Sequence, residues 1–162
     1  MGKIKFYAVL AMLMGHLGFG QHEELDLKTI SRTYIDAYFG KSIDIFASMM
    51  ADEVEWSDPT WAEVDPSTKL VSGKTKVLQH LKQATAEIQN MSYAIDHHFV
   101  SGNFAVFEGT LNYEWKQEAT GKVFSFSMRE VSVLEFESGL IVKHTDYTDF
   151  KRWKEQYTSQ LN

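Results

Sequence analysis

Phe124–Phe150 reads FSFSMREVSVLEFESGLIVKHTDYTDF, and this stretch decides the fold. Its two arms alternate on either side of Glu137-Ser138-Gly139, the pattern of two long antiparallel strands joined by a short turn. Val131 and Val133, with aromatic or aliphatic partners, carry the alternation on the first arm; Leu140 and Val142, then His144 and Asp146, carry it on the second. The second arm opens on Gly-Leu-Ile-Val and closes on His-Thr-Asp-Tyr-Thr-Asp. An imidazole, a phenol and carboxylates therefore stand where the apolar side chains began, and that end of the sheet is expected to serve a polar purpose.

Outward from this hairpin the chain keeps an α+β order. Two further strands precede it, Met91–Val100 and Phe104–Trp115, turned at Ser101-Gly102-Asn103 and near Thr120-Gly121. Upstream, Leu25, Leu27, Ile30, Tyr34, Ala37 and Tyr38 recur at helical steps through Phe39, and Gly40 is a suitable stop. Ser42 is placed to cap a second short helix with Ile43, Phe46, Met49 and Met50 inward. Glu53–Asp58 reads as a strand with Val54, Trp56 and Asp58 on one face, ended by Asp58-Pro59. The segment from Thr60 to Ser72 has no clear period, and either covers a pocket as a rim or is an ordinary irregular connection. Lys74–Ile88 then carries a third amphipathic helix on Val77, Leu78, Leu81, Ala84 and Ile88, and Lys151–Gln160 allows a last helical turn. Helices ahead of a meander of four long strands predict a curved antiparallel sheet wrapped around them, with an unfilled cone as the by-product.

Composition bounds the rest. The 162 residues are 44% hydrophobic and 14% aromatic, enough for one core and too few for two domains. A net charge of −6 with dispersed acids argues against nucleic acid, and the absence of Cys excludes disulfides and thiolate chemistry. Residues 1–20 read as a signal peptide: Lys3 and Lys5, an apolar run from Phe6 to Leu17, then Gly18-Phe19-Gly20. That run is shorter than the ~20 residues needed to span a bilayer. The expectation is export to a secreted or periplasmic location, cleavage near Gly20, a single domain over 21–162 and no membrane association afterwards.

The order of elements, together with Met50-Ala51-Asp52-Glu53-Val54-Glu55-Trp56, Asp58-Pro59, Gly73 and Gly139-Leu140-Ile141 followed by Asp146-Tyr147-Thr148-Asp149, resembles the nuclear-transport-factor-2-like superfamily. Within it the likeness is to SnoaL-like domains, the group of polyketide cyclases, ketosteroid isomerase and limonene epoxide hydrolase. The resemblance implies a cone-shaped cystatin-like fold with a central pocket. It places Asp58 at the isomerase's general base and Tyr34 at its oxyanion tyrosine, while Ser132 stands where that enzyme keeps a second oxyanion donor. It also places an acid at the end of the last strand, as in the cyclases. The Arg-x-Asp of the epoxide hydrolases does not occur. The superfold hosts enzymes, binding modules and inert relatives, so the fold leaves activity open.

The site residues expected from these readings are Asp58, Asp146 and Tyr34 as acid, base and hydrogen-bond donor. Trp56, Trp61, Glu108, His144, Tyr147 and Asp149 are expected to bind the ligand. Each has a plainer alternative: Asp58 capping its turn, Asp146 or Asp149 marking a solvated strand end, the aromatics Trp56, Trp61, Tyr113, Trp115, Phe124 and Phe126 packing the sheet. Asp146 and Asp149 have opposite parity, so only a bulge would turn both inward. His97 and His98 point to opposite faces of a strand, so at most one of them can join His144 in a metal site, and the plainer readings are one histidine lining the pocket or a surface pair. Arg129 is expected to form either an anion clamp or a cross-strand ion pair. No cofactor or metal is expected. The ligand is a small, mostly hydrophobic molecule, handled by a cofactor-independent acid/base enzyme or held by a non-catalytic module, with a homodimer through the outer sheet face as the further partner.

Overall fold

The computed structural model describes residues 26–161. The expected signal peptide, its cleavage near Gly20 and the Leu25 start of the first helix lie outside them. The first helix, α1, spans 26–39 and buries Ser31, Tyr34, Ile35, Ala37 and Phe39 on one face. It ends at Gly40, where a Cβ would lie 2.7 Å from the Asp36 carbonyl oxygen, so glycine suits the position. Lys41, not the glycine, then takes the left-handed conformation at φ 58°. α2 (Ile43–Ser48) follows with Phe46 buried. Ser42 stands at its N-cap through its carbonyl, which accepts from Ile45 and Phe46, while its hydroxyl makes no capping bond.

β1 (Met50–Ser57) starts earlier than the sequence pattern indicates and buries Met50, Val54, Trp56 and Ser57. The segment expected to be irregular contains two single 3-10 turns, Trp61–Glu63 and Pro66–Lys69, and a short strand, β2 (Val71–Ser72), paired to β1. α3 (Lys74–Ala84) turns Val77 and Leu81 inward. The long strands β3 (Ile88–Ser101), β4 (Phe104–Lys116), β5 (Val123–Glu137) and β6 (Leu140–Thr148) form the meander, and α4 (Phe150–Leu161) is a full helix rather than a turn. The sheet runs β2-β1-β6-β5-β4-β3 and is antiparallel except between β1 and β6, which are parallel. One core joins α1 to the sheet through Tyr34, Ile35, Phe39, Val54, Phe107, Leu134 and Ile141.

The β5–β6 hairpin sets the site. Its turn is Ser138-Gly139, both at positive φ (52° and 80°), which matches the right-handed twist of the flanking strands. On β5 the inward file is Phe124, Phe126, Met128, Glu130, Ser132, Leu134 and Phe136. Val131 and Val133, the apolar residues that mark the alternation in the sequence, lie on the outer face. On β6 the register shifts between Glu135↔Lys143 and Phe136↔Ile141, so a bulge lets Ile141 and then His144 and Asp146 all turn inward. Leu140 is left exposed. Beyond Thr148 the strand edge of β5 is unpaired by β6, and α4 lies along it. The side-chain amides of Gln156 and Gln160 each exchange two hydrogen bonds with the backbone of Ser127 and Ser125.

Candidate functional site

α1, α3, the Trp61–Thr68 segment and the concave face of the sheet enclose a cavity of about 360 Å³. Its apolar walls include Phe39, Phe46, Trp56, Trp61, Leu111 and Tyr113, and four acidic residues line it, Asp65 at the exposed rim and Asp58, Glu130 and Asp146 buried. A pocket of a few hundred cubic ångströms with a small number of convergent polar groups suits a small ligand.

Asp146 is held by three donors. Ser132 Oγ donates to Oδ1 at 2.6 Å, Tyr38 Oη to Oδ2 at 2.9 Å, and His144 Nε2 lies 2.8 Å from Oδ1. An ionised carboxylate only accepts, so Nε2 of His144 carries the proton in that pair. Tyr34 Oη meets the other ring nitrogen, Nδ1, at 3.0 Å, and Trp56 Nε1 donates to Tyr38 Oη at 3.0 Å. The cross-strand register explains the convergence: Ser132 stands opposite Asp146, and Glu130 opposite Thr148. Burial by itself would push Asp146 up; His144 and the three hydrogen bonds outweigh it and hold the carboxyl below the usual range.

Asp58 does both things the sequence leaves open. Its Oδ1 caps the Asp-Pro turn, accepting from Thr60 N and Trp61 N at 3.0 Å and from Thr60 Oγ1 at 2.5 Å. Its Oδ2 accepts from Thr148 Oγ1 at 2.9 Å, and the residue lines the cavity. Burial raises its pKa; the Thr60, Trp61 and Thr148 bonds pull the other way without cancelling that rise, and the Asp146 charge adds to it.

Glu130 has the least compensated environment. Only 1% of it is exposed, and its Oε2 has no hydrogen-bond partner among the described residues. Burial first and the neighbouring Asp146 charge second push its pKa well above the ordinary carboxylate value. Two acids in one apolar pocket are thereby driven apart, Asp146 to the anion and Glu130 to the neutral acid.

The other expected site residues separate into two groups. Trp56 and Trp61 line the cavity with Asp58 and Asp146. Tyr34 and His144 are fully buried behind it, so Tyr34 meets His144 rather than the open space, and the α1 tyrosine that lines the cavity is Tyr38, one turn further along. Glu108 is on the outer face, where it pairs with Arg129 at 2.6 Å and with His97 at 3.2 Å. Arg129 also pairs with Asp96, making it the cross-strand ion pair and not a clamp. Tyr147, 44% exposed, is on the outer face as well. Asp149 is exposed and accepts from the Arg152 N–H in the first turn of α4.

The three histidines considered for a metal do not converge. His97 pairs with Glu108, His98 turns in to bond Ser31 at 3.0 Å and stack on Phe107, and His144 holds Asp146. Of the six aromatics, Tyr113 joins Trp56 and Trp61 at the cavity, whereas Phe124 and Phe126 are buried in a separate cluster, with Trp115, Trp153 and Tyr157 packed against them. Glu130, Tyr38 and His80, the last on α3 beside Trp56, were not among the expected site residues. Glu130 was marked by its even spacing with Phe124, Phe126 and Met128, an acid in an otherwise apolar file.

The family model for the SnoaL-like domain matches residues 31–144. Among solved structures, a candidate SnoaL-like polyketide cyclase from Shewanella putrefaciens superposes with a TM-score of 0.72 at 16% identity, covering 82% of this chain and 96% of that one. An epoxide hydrolase of the LEH-like kind from M. tuberculosis superposes with a TM-score of 0.68 at 13% identity, covering 86% and 94%. A protein with a ketosteroid isomerase-like fold from Catenulispora acidiphila, in complex with trimethylamine, gives a TM-score of 0.63 at 16% identity, covering 78% and 90%. At these identities the likeness is one of fold. No curated protein matches the chain.

Proposed function

The chain belongs to the SnoaL-like domain family, and from that premise we propose that it binds a small, mostly hydrophobic molecule in the cone pocket and moves a proton on it without a cofactor, as an isomerase, cyclase or hydratase does. The observation that carries this reading is the convergence of Asp58, Glu130 and Asp146 on one apolar cavity. Asp58, its pKa raised by burial, is the base, and Oδ2, whose one bond is from Thr148 Oγ1, is the oxygen that takes the substrate proton. Glu130 is the neutral donor that steadies oxygen charge developing on the substrate. The donor role first assigned to Tyr34 passes to it, because Tyr34 is sealed behind His144. Asp146 stays ionised and fixes Tyr38, Ser132 and His144 around the site.

Mass spectrometry of small molecules co-purifying with the protein tests the reading, repeated on Asp58→Asn and Asp146→Asn. The wild type should retain an apolar ligand and convert it, and Asp58→Asn should retain it unconverted. Full turnover by Asp58→Asn would remove Asp58 as the base.

A second proposal concerns the outer face, where Phe99 is 59% exposed and stands opposite Val106, itself opposite Val133. This apolar row, with Tyr147 beside it opposite Val131, supports a homodimer through that face. Light scattering on Phe99→Asp tests it: the wild type should be dimeric and the variant monomeric. Export is likewise proposed, on the charged, apolar and small-residue order of 1–20. N-terminal sequencing of secreted protein should begin near Gln21.

A further inference from the structure

Thr148 ends β6, and its hydroxyl serves two of the acids that line the cavity. It donates to Asp58 Oδ2 at 2.9 Å, the one bond which that oxygen accepts among the described residues. Across the hairpin Thr148 is the direct partner of Glu130 in the β5–β6 register, so the two side chains are neighbours on one face. The hydroxyl acts on Glu130 as well as on Asp58. A hydroxyl has one proton and two lone pairs. Thr148 gives its proton to Asp58 and has only a lone pair left for Glu130, which suits an acid that keeps its own proton.

Glu130 is such an acid. Its Oε2 is buried with no hydrogen-bond partner among the described residues, the charges acting on it are those of Asp146 and Asp58, and Arg129 is turned outward to Asp96 and Glu108. Thr60 also donates to Asp58, but to Oδ1 inside the Asp-Pro turn, and its oxygen is taken by the Thr148 N–H at 2.8 Å.

We propose that the Thr148 hydroxyl is a proton relay between Asp58 and Glu130, through which the site restores its own protonation after each turnover. This rests on the proposed roles of Asp58 as base and Glu130 as donor. At the start Glu130 is the acid and Asp58 the anion. Asp58 Oδ2 takes a proton from a substrate carbon, the electron pair of that C–H bond moves toward the substrate oxygen, and that oxygen takes the Glu130 proton. The substrate has lost a C–H and gained an O–H as an enol, and the two carboxyls have exchanged states. Asp58 Oδ2 then passes its proton to Thr148 Oγ1 as Thr148 passes its own to Glu130. Both starting states return with no proton drawn from solvent and no further reactant. Burial gives the relay its use: Asp58 is 6% exposed and Glu130 1%, so water has little access to reset either.

Carbon-detected NMR titration of the Asp58 and Glu130 carboxyls tests the relay without a substrate, on the wild type, Thr148→Val and Thr148→Ser. Valine keeps the shape of the side chain and the backbone N–H that holds Thr60, and removes the hydroxyl. Asp58 loses a donor to its anion, so its pKa should rise. Glu130 loses the acceptor of its acid proton, so its pKa should fall. Each change should be about half a pH unit or more. Serine keeps the hydroxyl and should leave both values as in the wild type. If Thr148→Val does not fold, Thr148→Ala carries the comparison.

The opposed directions separate a relay from a hydroxyl that only supports structure. A rise at both carboxyls would make Thr148 a donor to each and overturn the relay, as would a change at Asp58 alone. Opposed changes that Thr148→Ser shares would also overturn it, because packing and not the hydroxyl would be their cause. Opposed changes in a protein that co-purifies with no ligand would uphold the hydrogen-bonded chain from Glu130 to Asp58 and defeat the substrate reading alone.

Discussion

His144 and Asp146, two residues apart on β6, meet inside the fold with Nε2 and Oδ1 at 2.8 Å. A strand turns residues i and i+2 to one face, so the spacing alone brings the two side chains side by side. What the spacing does not supply is the shell: Ser132 from β5 and Tyr38 from α1 complete the carboxylate's bonds.

Asp146→Asn should destabilise the protein. The amide presents an NH₂ to either Tyr38 Oη or the Ser132 and His144 donors, so at least one buried donor loses its acceptor. That costs about 1–3 kcal/mol. Urea unfolding measures it, and an unchanged midpoint would refute the assigned hydrogen bonds. The same change removes the charge that helps hold Glu130 neutral, so carbon-detected NMR should show the Glu130 pKa falling in the variant.

The pH dependence of stability follows from Glu130 with a definite sign. Its folded pKa is raised above the unfolded value of about 4.3, so the folded state holds the proton more tightly. Stability from this group is complete below the unfolded pKa and declines as pH rises through the window up to the raised folded pKa. Asp58 acts in the same direction. Asp146, with a lowered pKa, contributes above the unfolded aspartate value and loses that contribution as pH falls toward its folded pKa. Glu130→Gln does not titrate, so its stability should gain on the wild type steadily from about pH 4.5 upward. Denaturant titrations across pH measure the gap; a constant gap would mean that Glu130 is not protonated in the fold.

The hairpin, the meander and the two aspartates were legible because alternation and the Asp-Pro punctuation are local signals. Three matters depended on registers that no local pattern fixes. Glu108 has the parity of Val106 and Thr110, and only its position across from Arg129 and His97 shows that this file faces outward. Tyr34 and Tyr38 share one helical face, and their spacing does not say which reaches the cavity. The His144 ring stands against both, and it takes the Tyr34 hydroxyl while leaving Tyr38 at the opening. The β6 bulge reverses parity within one strand, which is why Leu140 and Val142 misled where His144 and Asp146 did not. Val131 and Val133 misled for a different reason: an outer face with apolar residues imitates an inner one, and it hid Glu130, the residue just before Val131, on the opposite face.

Gly109→Ala should be among the costlier single-atom additions in the sheet. A Cβ at this position would lie 2.3 Å from the Ala94 carbonyl oxygen and 2.8 Å from the Tyr93 ring. The ring could rotate, but the carbonyl belongs to the backbone of β3 beside its irregular register at Ile95/His97, so the strands must separate. Overpacking of this kind costs about 1–3 kcal/mol. Thermal unfolding checks it, and a melting temperature equal to the wild type would show that β3 yields freely there.

The Gln156 and Gln160 amides act as a substitute strand. Ser125 and Ser127 would otherwise present free N–H and C=O groups along a β5 edge that β6 does not reach, and such edges template pairing with other chains. Because the two glutamines are four residues apart, they sit one above the other on α4 and match the two-residue repeat of the strand. The double change Gln156→Ala, Gln160→Ala removes the four hydrogen bonds to β5 but leaves Trp153 and Tyr157 packed on Phe126 and Phe124, so the helix should stay docked. Hydrogen exchange at the Ser125 and Ser127 amides should accelerate by about tenfold or more, with a stability loss of about 1–3 kcal/mol, since water replaces part of what is lost. Self-association should rise with concentration in the variant. Unaltered exchange at both serines would mean that α4 shields the edge by bulk alone, and that the amide pairing contributes nothing to it.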